Sequence, residues 1–314
     1  MRGGIVRFCR PQFVPRAFSV HITIVNRLSH KMREIETDTT AQATIKSAAS
    51  GGGSVVHNRA FFLSLGRRLW TLNQSFGDIA YIFRLHLSAK YDSGRIATMT
   101  KEQIQACILE IGVVPGVRLS SADEALFAAE AVCIAGIPIV EVTMTVPGAV
   151  DVIAKLIQSN SGLIVGAGTV FDMETARRCL GAGVKFLTST GLDLEIVELA
   201  FKENVLVFPG VLTPTEVHAA AKAGCQLVKV FPCSQVGGPG YIRVLKAPFP
   251  NVSMIAAGGV TQQNAAEFIR AGAVAIGVGQ DLIPQKAIDL RESDWIQELA
   301  RRFVTIVKDA RAHF

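Results

Sequence analysis

The sequence lacks closely spaced cysteine pairs, because its six cysteines are spread along the chain and none belongs to a CxxC motif. Most of them lie in apolar segments, which favours reduced, buried thiols and a cytoplasmic location over a disulfide framework. Histidine is also scarce, and beyond Met99 only His218 and His313 occur, far apart in sequence. We therefore expect neither a metal site nor a metal cofactor.

Long apolar runs and aromatic residues are scarce as well. No run reaches the roughly 20 apolar residues that a transmembrane helix needs, so we expect no membrane partner. Aromatic residues make up 7% of the chain. Few of them lie outside apolar runs and no basic stripe follows Met99, which argues against a nucleic-acid partner. With 49% hydrophobic and 18% charged residues, the composition is typical of a well-filled globular core.

The net charge of +6 comes from the first third of the chain. Residues 1–98 contain 14 Lys and Arg against 5 Asp and Glu, whereas residues 99–314 contain 18 against 21. The first acidic residue is Glu34, so the opening stretch has the composition of an organelle-targeting peptide. A disordered tail, or a true start at Met99, is the interpretation we favour, because the composition changes at Met99 just before an ordinary first helix. We predict a basic, disordered extension over 1–98 and a barrel domain over 99–314.

Beyond Met99, short β-branched runs alternate with Ala-rich amphipathic segments. Capping residues and acidic first turns mark several helix starts, as at Ser121 and Thr213. The apolar runs are 113–119, 138–144, 163–169, 186–190, 206–212, 227–232, 253–259 and 275–279. Eight strand–helix units predict an α/β fold, a closed (β/α)8 TIM barrel.

An open, Rossmann-like sheet is the alternative architecture, because Gly166 and Gly168 begin a GxGxxG-like pattern. Phe171 occupies the place of the third glycine, and no acidic residue follows at the end of a second strand. A dinucleotide site needs these features, so the barrel is the better interpretation.

The carboxyl ends of the predicted strands carry polar residues, and in a barrel these ends form the active-site mouth. In the second strand, Glu141, Thr143 and Thr145 share one face, while the residues between them are apolar. Because the apolar face suits contact with helices, we predict that Glu141 points into the barrel.

Lys229 occupies the corresponding position in the sixth strand, where it shares the inner face with Phe231. An amine among apolar residues loses hydration, which favours its neutral form. A neutral amine in a dry pocket can form a Schiff base with a ketone, and Glu141 could move the protons. A buried ion pair that merely holds the barrel together explains the same positions, so both interpretations stay open from position alone.

Glycines follow the last two strands, at Gly258 and Gly259 and at Gly277 and Gly279. Such loops, with a helix expected to begin near Thr261, predict a backbone cradle for a phosphate group. Tight turns without a ligand are the simpler alternative.

Five sequence blocks resemble the bacterial 2-keto-3-deoxy-6-phosphogluconate and 4-hydroxy-2-oxoglutarate aldolases over about residues 103–282. The blocks are Glu141-Val142-Thr143, Gly166-Ala167-Gly168-Thr169-Val170, Phe208-Pro209-Gly210, Lys229-Val230-Phe231-Pro232 and Gly258-Gly259-Val260. The resemblance implies a class I aldolase that is typically homotrimeric. It also implies Lys229 as the Schiff-base lysine, Glu141 as general acid/base and Thr169 at the substrate carboxylate, with no cofactor.

Several positions depart from the family pattern. The arginine of E-V-T-x-R, which grips the substrate carboxylate in the family, is Thr145 here, and Arg118 is the natural replacement. The proline of S-P-G is Thr190, the threonine of P-T-G-G is Ala257, and a serine common after the last glycine is Gln280. These changes concern substrate binding, so we expect retained chemistry with an altered preferred substrate.

The sequence therefore predicts a lyase that releases pyruvate from a phosphorylated 2-keto acid through Lys229 and Glu141. The predicted substrate-binding residues are Arg118, Thr143, Thr145, Thr169, Ser189, Phe231, Gly258, Gly259, Gly277 and Gly279. Two alternatives remain: another phosphate-binding barrel enzyme, an isomerase or decarboxylase in which Lys229 is only a cationic contact, and a non-catalytic ligand-binding barrel.

Overall fold

The computed structural model describes residues 96, 98–159 and 162–312. Nearly all of the predicted extension lies outside these residues, so the division at residue 98 stays a prediction. The strands are β1 (Val113–Val117), β2 (Ile139–Thr143), β3 (Ile164–Gly168), β4 (Phe186–Thr188), β5 (Leu206–Phe208), β6 (Gly210–Val211), β7 (Leu227–Val230), β8 (Ser253–Ala257) and β9 (Ala275–Val278). Neighbouring strands are all parallel.

Helices follow the strands in the alternation that the sequence predicts. They are α1 (Lys101–Ile111), α2 (Ala122–Ile134), α3 (Ala149–Gln158), α4 (Met173–Gly181), α5 (Leu194–Lys202), α6 (Pro214–Lys222), α7 (Gly238–Lys246), α8 (Ala265–Arg270), α9 (Gln285–Asp289) and α10 (Ser293–Arg311), with a 3-10 turn at Ser234–Val236. No helix in the described part of the chain is long and apolar enough to cross a membrane.

The ring of strands closes through Pro209. The order is β5-β4-β3-β2-β1-β9-β8-β7-β6, so β5 and β6 lie at its two ends although only Pro209 separates them in sequence. Proline has no N–H to give to a ladder, and the predicted fifth strand therefore divides into two short pieces. The Pro209 carbonyl still accepts a 2.9 Å hydrogen bond from the Lys229 N–H. The predicted (β/α)8 barrel is confirmed.

Helix starts follow the predicted capping chemistry at Ser121 and Thr213, whose hydroxyls accept from the N–H groups of Glu124 and Glu216. The helix expected near Thr261 begins one turn later, at Ala265, so that boundary was wrong. The Asn264 side chain accepts from the Thr261 N–H, and the intervening residues form a turn.

Aromatic rings fill the barrel interior between β3, β4 and β5. Phe186 and Phe208 are fully buried and stack with 5.1 Å between ring centroids. A Cβ atom at Gly166 would lie 2.0 Å from the Phe186 ring, so only glycine fits opposite this aromatic residue. Rings packed at the density of a protein interior leave little room for water in this part of the barrel.

Candidate active site

Strands β2 and β7 bring Glu141 and Lys229 together inside the barrel. The Lys229 Nζ atom lies 2.8 Å from Glu141 Oε1 and 3.1 Å from Oε2, and the two side chains are 9% and 6% exposed. The alternating valines of both strands are fully buried on the helix side, as the two-residue period predicts. The inward orientation of both residues is therefore observed, and a charged pair lies in a dry interior.

Gly168 makes room for the Glu141 carboxylate. A Cβ atom at Gly168 would lie 2.2 Å from Glu141 Oε1 and 2.6 Å from the carboxyl carbon. Any side chain at this position would therefore push Glu141 away from Lys229. The glycine of this sequence block has a steric role at the site and is not part of a nucleotide-binding turn.

Thr169 combines backbone strain with an unpaired hydroxyl. Its φ is +60°, a conformation that costs a β-branched residue energy. Its Oγ1 atom is buried and has no hydrogen-bond partner among the described residues. A buried hydroxyl without a partner loses its hydration and gains nothing in return, so a ligand that accepts its proton would be stabilised here.

The hydroxyl groups of Thr143 and Thr145 are committed to each other. Thr143 Oγ1 donates to the Val117 carbonyl over 3.0 Å and lies 2.7 Å from Thr145 Oγ1. Because Thr143 has one proton and gives it to Val117, Thr145 must donate to Thr143. Thr145 lies in the turn after β2, not on the strand, and offers a ligand only its lone pairs. The expectation that it extends the inner face of the strand was wrong.

Ser189 braces two loops. Its hydroxyl donates to the Gly191 carbonyl and accepts a 3.2 Å hydrogen bond from the Gly210 N–H. Gly210 is tightly packed, because a Cβ atom there would lie 2.3 Å from the Thr190 carbonyl carbon. Ser189 therefore has no proton free for a substrate, and its observed contacts are structural.

The loop after β8 is held by side chains that the sequence did not single out. The Gly259 carbonyl accepts hydrogen bonds from Ser234 Oγ at 2.6 Å and from Asn264 Nδ2 at 3.0 Å. Gly258 and Gly259 both have positive φ. A Cβ atom at Gly258 would lie 3.0 Å from the half-buried Phe231 ring. Ser234 lies two residues beyond the K-x-F-P block, and its hydroxyl was the sequence feature from which the contact with the Gly259 loop could have been predicted.

The glycines of the last strand have packing explanations of their own. A Cβ atom at Gly277 would lie 2.9 Å from the Ala257 Cβ atom, and the Gly279 carbonyl accepts from the N–H groups of Leu282 and Ile283. Burial raises the pKa of the Asp281 carboxyl in this turn. The helices behind the two loops, α8 and α9, have only six and five residues. The phosphate cradle stays a prediction.

Two further groups near the mouth differ in their readiness to react. Arg118 is exposed and makes no hydrogen bond or ion pair within the described residues. Cys233, by contrast, is fully buried, and burial raises the pKa of its thiol to about 11. A neutral thiol is a poor nucleophile, so the amine of Lys229 is the better candidate for covalent chemistry.

The sequence model of the family "KDPG and KHG aldolase" matches residues 104–299. The chain belongs to this family. The 2-dehydro-3-deoxy-phosphogluconate aldolase of Treponema pallidum is 29% identical over 197 residues, 63% of this chain and 94% of that protein. The 2-dehydro-3-deoxy-6-phosphogalactonate aldolase of Escherichia coli K12 is 35% identical over 162 residues, 51% of this chain and 78% of that protein.

A solved relative carries the expected covalent chemistry. The KDPG aldolase of Legionella pneumophila, with pyruvate captured as a covalent carbinolamine intermediate, superposes with a TM-score of 0.59 and 27% identity. The match covers 62% of this chain and 95% of that one. The family membership and barrel predicted from the sequence are thus confirmed.

Proposed function

We propose that this protein is a class I aldolase that cleaves 2-keto-3-deoxy-6-phosphogluconate, or a related 2-keto-4-hydroxy acid, to pyruvate and an aldehyde. The buried contact between Lys229 Nζ and Glu141 Oε1, 2.8 Å long, carries the proposal. It places a proton acceptor against the amine in a site from which water is largely excluded.

The first half of the reaction forms the Schiff base. Glu141 takes a proton from the Lys229 ammonium group, and the neutral amine attacks the C2 carbonyl of the substrate. Glu141 returns the proton to the carbinolamine hydroxyl, which leaves as water. The resulting iminium is an electron sink next to C3.

The second half breaks the C3–C4 bond. Glu141 accepts the proton of the C4 hydroxyl, the bond electrons move into the iminium, and the aldehyde leaves. The enamine is then protonated at C3, and hydrolysis releases pyruvate and restores the Lys229 amine. Each proton transfer requires a carboxylate close to Nζ, which the Glu141 position supports.

The substrate carboxylate is assigned to the unpaired Thr169 hydroxyl and to Arg118, since Thr145 has no proton to offer. Glyceraldehyde 3-phosphate or glyoxylate would be the aldehyde product. The phosphate of a phosphorylated 2-keto acid is assigned to the backbone of Gly258 and Gly259, whose loop Ser234 braces.

A homotrimer in the cytoplasm is the proposed state. Phe171 and Leu194 are 54% and 49% exposed in segments that follow the neighbouring strands β3 and β4. A contiguous apolar patch marks a subunit contact, so a patch that includes these two side chains would support the trimer.

The five cysteines of the described part form no disulfide with one another, which supports a reducing compartment. Light scattering of the purified protein tests the trimer, and a monomeric mass would refute it.

Borohydride trapping with pyruvate tests the proposed function. We expect a stable adduct on Lys229, seen by intact mass and peptide mapping, and absent from Lys229→Ala. Lys222→Ala, which removes an exposed lysine of α6, is the matched control and should trap normally. A folded wild-type protein that forms no adduct would refute the aldolase and favour an isomerase, a decarboxylase or a binding role.

A further inference from the structure

Arg118 is the only lysine or arginine in the segments that join each barrel strand to the next helix. Lys229 itself lies within a strand and is paired with Glu141. An anionic substrate that enters the mouth therefore meets one cation on these segments.

Two carboxylates lie close to Arg118 in sequence and would be natural partners for it. Asp123 and Glu124 both belong to the first turn of α2. Neither contacts Arg118, because Asp123 pairs with Arg291 and Glu124 turns back onto the loop. The guanidinium is consequently left without an acidic partner in the described part of the chain.

Glu124 makes two hydrogen bonds to one residue of the loop that joins β1 to α2, residues 118–121. Its Oε2 atom accepts from the Ser120 N–H at 3.0 Å and from the Ser120 hydroxyl at 2.8 Å. On the other side of Ser120, the Leu119 side chain is buried, as is Val117 before the arginine. The backbone that carries Arg118 is thus held by two buried side chains and by Glu124.

We propose that Glu124 is a positioning residue for Arg118. By binding both donors of Ser120, it fixes the four-residue loop after β1 and keeps its own carboxylate away from the guanidinium. Arg118 is then presented unpaired to the anionic group of the substrate. This inference rests on the proposed function, in which Arg118 binds that group.

The test compares steady-state kinetics of Glu124→Ala, Glu124→Gln and the wild type with 2-keto-3-deoxy-6-phosphogluconate. In Glu124→Ala we expect KM to rise about three- to tenfold while kcat stays within twofold, because the loop loses its acceptor and the chemistry is untouched. Glu124→Gln retains an acceptor for Ser120 and should keep a KM within twofold of the wild type.

Glu174→Ala is the matched control, since Glu174 is an exposed carboxylate in the first turn of α4. It should leave KM unchanged. A KM that stays at the wild-type value in Glu124→Ala while Arg118→Ala raises it would overturn the positioning role alone. An Arg118→Ala variant with unchanged KM would instead refute the substrate contact in the proposed function.

If Glu124→Ala does not fold, Ser120→Ala replaces it, because that change removes only the hydroxyl donor of the same contact. A rise in KM of about two- to threefold with unchanged kcat supports the proposal. An unchanged KM with a lowered melting temperature would show that the contact merely stabilises α2, and would overturn it.

Discussion

The two ends of the barrel contain cationic and hydroxyl side chains that differ in whether they have hydrogen-bond partners. At the carboxyl end, Thr169 holds a buried hydroxyl without a partner, and Arg118 makes no hydrogen bond or ion pair within the described residues. At the amino end, Arg311 donates to the carbonyls of Leu109, Glu110 and Val274 at 2.6–2.8 Å. One end leaves hydrogen-bonding capacity free for a ligand, whereas the other uses it to join elements.

The difference shows where stability and function are located. Arg311 lies at the end of α10, and its three acceptors belong to the end of α1 and to the residue before β9. Lys246 works in the same way at the end of α7, where it donates to the carbonyls of Pro250 and Val252. The amino end therefore uses its cationic side chains to join elements, whereas Arg118 at the carboxyl end makes no such contact.

The largest expected effect is on the chemistry of the carboxyl end. Glu141→Gln removes the proton acceptor beside Lys229 while it keeps the shape of the side chain. We expect kcat to fall about 10²–10⁴-fold. Steady-state kinetics measure the loss, circular dichroism checks the fold, and Glu174→Gln is the control on an exposed helix. A kcat within threefold of the wild type would show that Glu141 transfers no proton.

At the amino end, the expected effect is on stability instead of activity. Arg311→Ala leaves several carbonyls without their donor, so we expect a loss of about 2–3 kcal/mol in the free energy of unfolding. The melting temperature should fall by about 5–10 °C. Arg302→Ala, which removes an exposed arginine paired within the same helix, should change it little. If kcat of Arg311→Ala is lower than that of the wild type at a temperature below the melting transition of the variant, the amino end affects catalysis as well as stability.

Thr169→Val tests whether the unpaired Thr169 hydroxyl lowers the stability of the protein but strengthens substrate binding. Valine has the same branched shape and bears the same backbone strain, but it needs no hydrogen bond. We expect kcat/KM to fall about 10–100-fold, because the hydroxyl no longer donates to the substrate carboxylate. The melting temperature should stay level or rise slightly.

Thr145→Val is the companion control for Thr169→Val, since the Thr145 proton is already given to Thr143. It should change kcat/KM less than threefold. If Thr145→Val has the larger effect, the assignment of the carboxylate to Thr169 is wrong.

The smallest expected effect concerns pH. The Thr213 backbone N–H, followed by the Leu212 N–H and the Thr213 hydroxyl, lowers the pKa of Glu216 below its ordinary 4.5. A carboxyl whose pKa is lower in the folded state adds stability above its unfolded pKa, and this is lost as the pH falls through the folded pKa. Glu216→Gln should therefore melt about 1–3 °C below the wild type at pH 7.

The difference in melting temperature between Glu216→Gln and the wild type should become smaller as the pH falls below 4.5. Thermal melts from pH 7 to pH 3 measure it. A gap that widens towards acid would mean that the sign of the pKa shift is wrong.

Much of the fold and of the reactive pair could be predicted from the sequence, because both depend on local periodicity. Alternation by two places Lys229 and Glu141 opposite the helix-facing valines, and the recurrence of apolar runs leads to a closed parallel barrel. Local patterns did not predict the ends of strands and helices, which depend on hydrogen bonds. Thr145 lies in a turn and not on the strand, and the helix expected near Thr261 begins one turn later.

The sequence by itself determined the number of strand–helix units, the inward direction of Lys229 and Glu141, and the family, since each follows from residue order and side-chain type. Only the tertiary structure decided that the two side chains meet at 2.8 Å, that Gly168 leaves space for the carboxylate, and that Ser189 is committed to the backbone. These features join residues that are far apart along the chain, so their distances depend on how the whole barrel closes.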